Sequence, residues 1–141
     1  MVLLLTFLTA APAFAQPPSP AGRWRTIDDK TGVAKSIVVV RIVNNELEGT
    51  VERIFSPPAP SENPICEGCP GDLNGKRMVG MRVVWGFTLD GTNWVGGRVF
   101  DPEGKKTYKG KIRVVDNGQK LDLRGFVGIP LLGRTQTWIR E

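Results

Sequence analysis

The chain reads as an all-β protein, an eight-stranded antiparallel up-and-down β-barrel. Three observations predict this. Short segments with period-2 patterning or β-branched enrichment recur from Gly22 to Arg140, separated by turn signals. No segment of useful length has helical periodicity. Most connections are tight, so consecutive strands pair as hairpins in a meander, and eight strands is a number that closes. A two-sheet sandwich is the main structural alternative.

The elements follow in order. The first strand spans 22–27, and Asp28-Asp29-Lys30-Thr31-Gly32 turns it. The second spans 34–43, with Ser-Ile-Val-Val-Val-Arg-Ile-Val at its heart. Asn44-Asn45 suits a two-residue hairpin turn because Asn tolerates positive φ. The third strand is 46–54. A long loop, 55–77, holds five prolines and both cysteines. The fourth and fifth strands are expected at 78–87 and 92–100, split by Asp90-Gly91. Asp101-Pro102-Glu103-Gly104 leads into the sixth, 106–115, and Asp116-Asn117-Gly118 into the seventh, 119–127. The eighth is 134–140. The hairpin over 121–140 closes the barrel against the first strand, since a barrel is complete only when its first and last strands pair.

Alternation is clearest late in the chain. Tyr108, Gly110, Ile112 and Val114 face one way, and Lys109, Lys111 and Arg113 the other. In the seventh strand Leu121, Leu123, Gly125 and Val127 oppose Lys120, Asp122 and Arg124. The apolar sets belong inside. Glycines fall within the expected strands at Gly49, Gly80, Gly96, Gly97, Gly110 and Gly125. Each costs stability there, so it marks a bend, a bulge or a close approach.

Residues 1–15 contain no charge, and an apolar run from Val2 to Leu8 leads into Ala13-Phe14-Ala15. This is the pattern of a secretory signal cleaved before Gln16, although the usual basic n-region is missing. The run is too short to span a bilayer. Gln16–Ala21 is expected to be a flexible leader, and 22–141 a single domain. The expected location is the bacterial periplasm or exterior. The net charge of +5 lies entirely in the mature part and is dispersed among acids, which is the pattern of a solvated surface. No nucleic-acid-binding motif is present. Attraction to anionic envelope components stays open, and the sequence does not set an oligomeric state.

The site chemistry is sparse. Cys66-x-x-Cys69 in an exported chain is expected to oxidise to a disulfide. A redox pair and a metal site are the alternatives. With no His in the chain, a zinc site would need Glu67, Asp72 or a second chain. The absence of His also removes the common nucleophilic dyads and general bases, so no catalytic residues and no cofactor are expected. Asp28, Asp29 and Asp101 sit in expected turns, where such side chains bond to their own backbone. The aromatic residues are the best functional hint. Trp85, Trp94 and Tyr108 lie on adjoining strands, with Arg98 expected on the face of Trp94 and Phe100. They either fill the barrel or line a cavity for a small hydrophobic or amphipathic ligand. Arg98 or Arg134 would pair with an anionic head group. Trp85, Trp94, Arg98, Tyr108 and Arg134 are therefore the candidate ligand-binding set.

Gly22-x-Trp24 on the first strand, with Thr137-Trp138-Ile139-Arg140 on the last, resembles the lipocalin and calycin signature. The resemblance implies that the Trp closes one end of the barrel and that an Arg stacks across it. Trp24, Trp138 and Arg140 are the closure residues on that reading. Four further stretches resemble a bacterial family of small exported proteins catalogued as a domain of unknown function. They are Gly22–Asp29, Cys66–Pro70, Trp94–Lys105 with Tyr108, and Arg124–Gly128 running on to Gly133–Trp138. This second resemblance implies a lipocalin-like barrel and an envelope location, and carries over no catalytic residue. The leading functional expectation is a non-enzymatic binder of a lipid or fatty-acid type ligand. An envelope interaction module with a solid core, acting through the 55–77 loop, is the second, and an enzyme of unfamiliar type the third.

Overall fold

The structure, a computed structural model, describes residues 8–12, 18–55 and 63–141. Most of the expected export signal and residues 56–62 of the long loop lie outside the described residues. Eight strands close into one barrel, each antiparallel to the next, with the last returning to the first. They are β1 (Gly22–Ile27), β2 (Ala34–Val43), β3 (Glu46–Ile54), β4 (Arg82–Asp90), β5 (Asn93–Asp101), β6 (Lys106–Val115), β7 (Lys120–Phe126) and β8 (Arg134–Arg140). The sheet is continuous, not split into a sandwich. Among the described residues no helix is long and apolar enough to cross a membrane.

Local chemistry sets the turns. Asn44 and Asn45 have φ of 50° and 63°, which is the doubly left-handed hairpin turn that Asn accepts. Asp28 Oδ1 accepts the N–H groups of Lys30 and Thr31 at 2.9 Å each, and Asp101 Oδ1 accepts the Glu103 N–H at 3.0 Å. Both are the backbone-bonded turn aspartates expected.

The fourth strand departs from expectation. It runs from Arg82 to Asp90, not from 78 to 87. The apolar Met78, Val79 and Met81 continue the strand pattern in sequence, but Gly80 at φ 92° turns the chain there. Gly80 donates its N–H to Val51 O and Met81 O accepts from Val51 N, which fastens this turn to β3. Gly80 is thus a turn residue and not a strand interior. A smaller correction follows the same logic. Val127 lies beyond β7 and is more than half exposed, because Gly128 at φ 82° opens the next turn. In the leader the carbonyls of Ser19, Pro20 and Ala21 accept side-chain hydrogen bonds, as described below.

The described part of the long loop is folded on itself. Ile65 bridges Arg77, Cys66 exchanges backbone bonds with Lys76 and Gly75, and a short 3-10 turn covers Gly71–Leu73. Cys66 and Cys69 form a disulfide with Cα atoms 5.7 Å apart, and both are buried in the main core with Met81. The disulfide and its apolar neighbours fasten this segment to the barrel wall.

One pole of the barrel is solid. Trp24, Leu47, Phe87 and Leu121 are fully buried there, with Trp94 and Ile112 beside them. Phe87 spans the interior. A β-carbon at Gly97 would overlap its ring, and one at Gly110 would stand 2.7 Å from it. The two glycines on β5 and β6 thus make the space one aromatic ring occupies.

The same pole is sealed by Arg140. Its guanidinium carbon lies 4.2 Å from the centre of the Trp24 ring, a cation–π contact over a fully buried indole. Arg140 Nε donates to Gly118 O at 2.6 Å, Nη1 to Ala21 O at 3.0 Å and Nη2 to Ser19 O at 2.7 Å. Trp24 Nε1 donates to Pro20 O at 2.8 Å. One planar side chain therefore ties the leader, β8 and the β6–β7 turn together. Gly22, at φ 136°, leaves room for it, since a β-carbon would lie 2.8 Å from Nη1. Trp138 is not part of this seal. It sits farther along β8 inside the wall, its Nε1 donating to Gln136 Oε1 at 3.2 Å.

Candidate functional site

The opposite pole is open. A cavity of about 670 Å³ enters the barrel there. Its inner walls are Val38, Val51, Val84, Val99, Leu123 and Trp138. These side chains alternate inward from β2, β3, β4, β5, β7 and β8, as period 2 requires. The interior is thus filled at one pole and hollow at the other.

A few polar groups line this apolar space. Thr26 and Ser36 face each other across β1 and β2, with their hydroxyl oxygens 2.7 Å apart. Tyr108 and Gln136 also line it. The mouth is edged by the β1–β2 and β5–β6 turns, and its charges are largely paired. Lys35 Nζ meets Glu103 Oε1 at 3.0 Å. Arg134 donates from Nε to Asp29 Oδ2 at 3.0 Å and from Nη2 to Oδ1 of the same carboxylate. This two-point pair latches β8 to the β1–β2 turn at the rim of the mouth, beside the β1–β8 seam.

The latch shifts both partners. The Arg134 guanidinium holds the Asp29 carboxyl below its ordinary value, and Asp29 in turn raises Arg134. Asp28 is also lowered, first by the Thr31 N–H and then by that of Lys30. Acidification is expected to release the latch. The folded Asp29 value lies below 3.8, so the pairing contributes in full above about pH 4 and is lost as pH falls through that lower value. Nitrogen NMR of the Arg134 Nε–H checks this. Its signal should hold steady down to about pH 4 and should differ at neutral pH from that of an Asp29→Asn variant, and an identical signal in the two proteins would remove the pair.

The candidate ligand-binding residues divide. Tyr108 and Arg134 line the cavity. Trp94 is buried in the solid pole, beside Ile112 of β6 in the register. Trp85 is half-buried, with the Arg82 guanidinium 5.6 Å from its ring centre, and it pairs across strands with exposed Arg98. Arg98 does not share the inward face of Trp94. The β5–β6 register shifts between Val95 and Arg98, and Gly96 takes φ 79°. That bulge adds one residue, so strict alternation counted from Trp94 reaches the wrong face. Arg98 Nη1 donates instead to Gly97 O at 3.1 Å.

Several site residues were not anticipated. Phe87 fills the solid pole against Gly97 and Gly110, and at the mouth of the hollow Asp29 pairs with Arg134 and Lys35 with Glu103. The Gly96-Gly97 pair was the available signal for the bulge. The ion pairs join residues 68 and 105 positions apart and left no local trace.

Comparison with solved structures finds the same fold. A Helicobacter pylori protein, HP1028, described as belonging to the lipocalin family, superposes with a TM-score of 0.75 at 17% sequence identity, over 88% of this chain and 84% of that one. Comparison with curated proteins finds no match. The model of a bacterial family matches residues 22–140, the whole barrel from the Trp24 strand to Arg140. The chain belongs to that family, described as "Uncharacterized protein conserved in bacteria (DUF2147)".

Proposed function

We propose that this protein holds a small, partly apolar ligand of lipid or fatty-acid type inside its barrel, in the bacterial periplasm, and catalyses no reaction. The observation that carries the reading is the hollow pole: about 670 Å³, walled by valine, leucine and tryptophan, with a few hydroxyl and amide groups. Volumes of about 300–1,000 Å³ with that mixture suit small ligands. The polar end of the ligand sits at the mouth, near Tyr108, Gln136 and the Asp29–Arg134 pair. An anionic head group there competes with Asp29 for Arg134. The likeness to a protein described as a lipocalin supports the reading, and so does an oxidised Cys66–Cys69 pair, which suits an exported chain.

Titration with a fluorescent fatty acid tests it. The purified protein is expected to bind the probe with one site per chain. Gly125→Phe should abolish binding, because Gly125 lines the cavity and a β-carbon there meets Tyr108 at an ordinary 3.7 Å. Arg98→Ala, on the outer wall, should leave binding unchanged. Failure of the unaltered protein to take up this probe or a neutral hydrophobic dye would overturn the proposal.

A further inference from the structure

The outer wall of β5, β6 and β7 gathers cations. Arg98, Lys109, Lys111 and Arg113 are exposed, and Arg124 is half-buried. The register sets Arg98 opposite Lys109 and Lys111 opposite Arg124. Like charges directly opposite on neighbouring strands are destabilising. None of the five wall cations meets a carboxylate within ion-pair distance among the described residues. Elsewhere Arg23, Arg25, Lys35, Arg82, Lys120 and Arg134 do so, whereas Lys30, Arg41 and Arg53, among others, do not among the described residues, so it is the cross-strand grouping that marks this wall. The acid on this face, Asp122, stands opposite Arg113 and accepts the Thr137 hydroxyl at 2.7 Å. The wall is therefore a concentrated positive surface maintained at a cost to the fold.

An apolar tip adjoins it. Arg124 Nε donates to Pro130 O at 2.7 Å, and Nη2 to Leu131 O at 3.3 Å. Those bonds seat the β7–β8 loop beside the wall with Leu131 81% and Leu132 75% exposed, and with Ile129 more than half exposed. Adjoining exposed apolar side chains rimmed by charge mark an interaction surface. A wall cation positions this tip, so the two features form one surface.

We propose that the β5–β7 wall and the β7–β8 loop dock the protein onto an anionic phospholipid bilayer. Leu131 and Leu132 enter the boundary between head groups and acyl chains, and Lys109, Lys111 and Arg113 lie on lipid phosphates. Charge complementarity gives the occupant its sign, and the paired leucines distinguish a bilayer from a soluble polyanion, which would leave them in water. Leu132 also lines the cavity mouth, so docking brings the opening to the lipid surface. The inference rests on the outer wall and needs no ligand in the barrel.

Vesicle co-sedimentation tests it with the purified protein. Binding is expected to equimolar phosphatidylcholine–phosphatidylglycerol vesicles, and to be weaker by at least about tenfold to phosphatidylcholine alone. Lys109→Gln with Lys111→Gln, and separately Leu131→Ser with Leu132→Ser, should each lower it by about tenfold, with far-UV circular dichroism unchanged. Leu131→Trp should shift its emission to the blue on the mixed vesicles. Equal binding to both vesicle types, or no emission shift, would overturn the proposal. So would loss in the lysine variant alone, which would identify a polyanion site. Vesicle binding in a protein that takes up no fatty-acid probe would support docking while refuting the ligand reading.

Discussion

Replacing Phe87 with alanine should lower stability by about 3–5 kcal/mol, the usual cost of emptying an aromatic site in a packed core. Phe87 is fully buried, and its ring fills the gap created by Gly97 and Gly110. With no side chain on either glycine, nothing nearby collapses into the vacated volume, which places the cost at the upper end. The double variant sharpens the prediction. Gly97→Ala alone forces a β-carbon into the ring and should cost about 1–3 kcal/mol. In the Phe87→Ala background the same change should be close to neutral, since its clash is gone. Urea denaturation of the four proteins measures the coupling. Additive effects would show that the glycines do not serve the ring. The hollow should also deepen toward Trp94, so the single Phe87→Ala protein should accept a longer fatty-acid probe.

Arg140→Ala is the second large effect, expected at about 2–4 kcal/mol. The loss combines the contact over Trp24 with three donors to the backbone oxygens of Gly118, Ala21 and Ser19. Arg140→Lys should recover only a minor part, because an ammonium has no planar fork to reach three acceptors and cover an indole together. Hydrogen exchange should localise the damage, with the Trp24 indole N–H losing protection first since its acceptor is Pro20 of the released leader. An unaltered denaturation midpoint in Arg140→Ala would show that the strands close the barrel without it.

Much of the fold was legible because local rules agreed with one another. Asn44-Asn45 fixed the register of β2 and β3, and the alternation of Tyr108 to Val114 placed β6 and its inward face. The closing contact was legible through family resemblance in Gly22, Trp24 and Arg140. Legibility failed wherever a glycine took positive φ inside an apolar run. Gly80 moved the start of β4, and Gly96 turned Arg98 outward. The cavity was open to two readings because composition does not say how side-chain volume is distributed along a barrel axis. Phe87 concentrates that volume at one pole, and Gly125 with the valines leaves the other hollow. The leader looked loose by its prolines, yet its carbonyls are acceptors for Trp24 and Arg140, a pairing across 119 and 121 positions at its farthest.

The position of the chain ends gives the barrel a mechanical weak axis. Gly22 opens β1 and Glu141 follows β8 at the same sealed pole, where the Glu141 N–H donates to Arg23 O at 3.0 Å. The seam between them is registered by Trp24 with Arg140 and Arg25 with Ile139. Tension applied to the two ends would therefore peel this seam one bond at a time instead of shearing the whole ladder together. The elements that resist at that end are the Arg140 guanidinium with its three backbone acceptors, the Glu141 N–H on Arg23 O and the Arg25–Glu141 ion pair at 3.0 Å, so the force needed to begin unzipping the barrel is set by the last two residues of the chain.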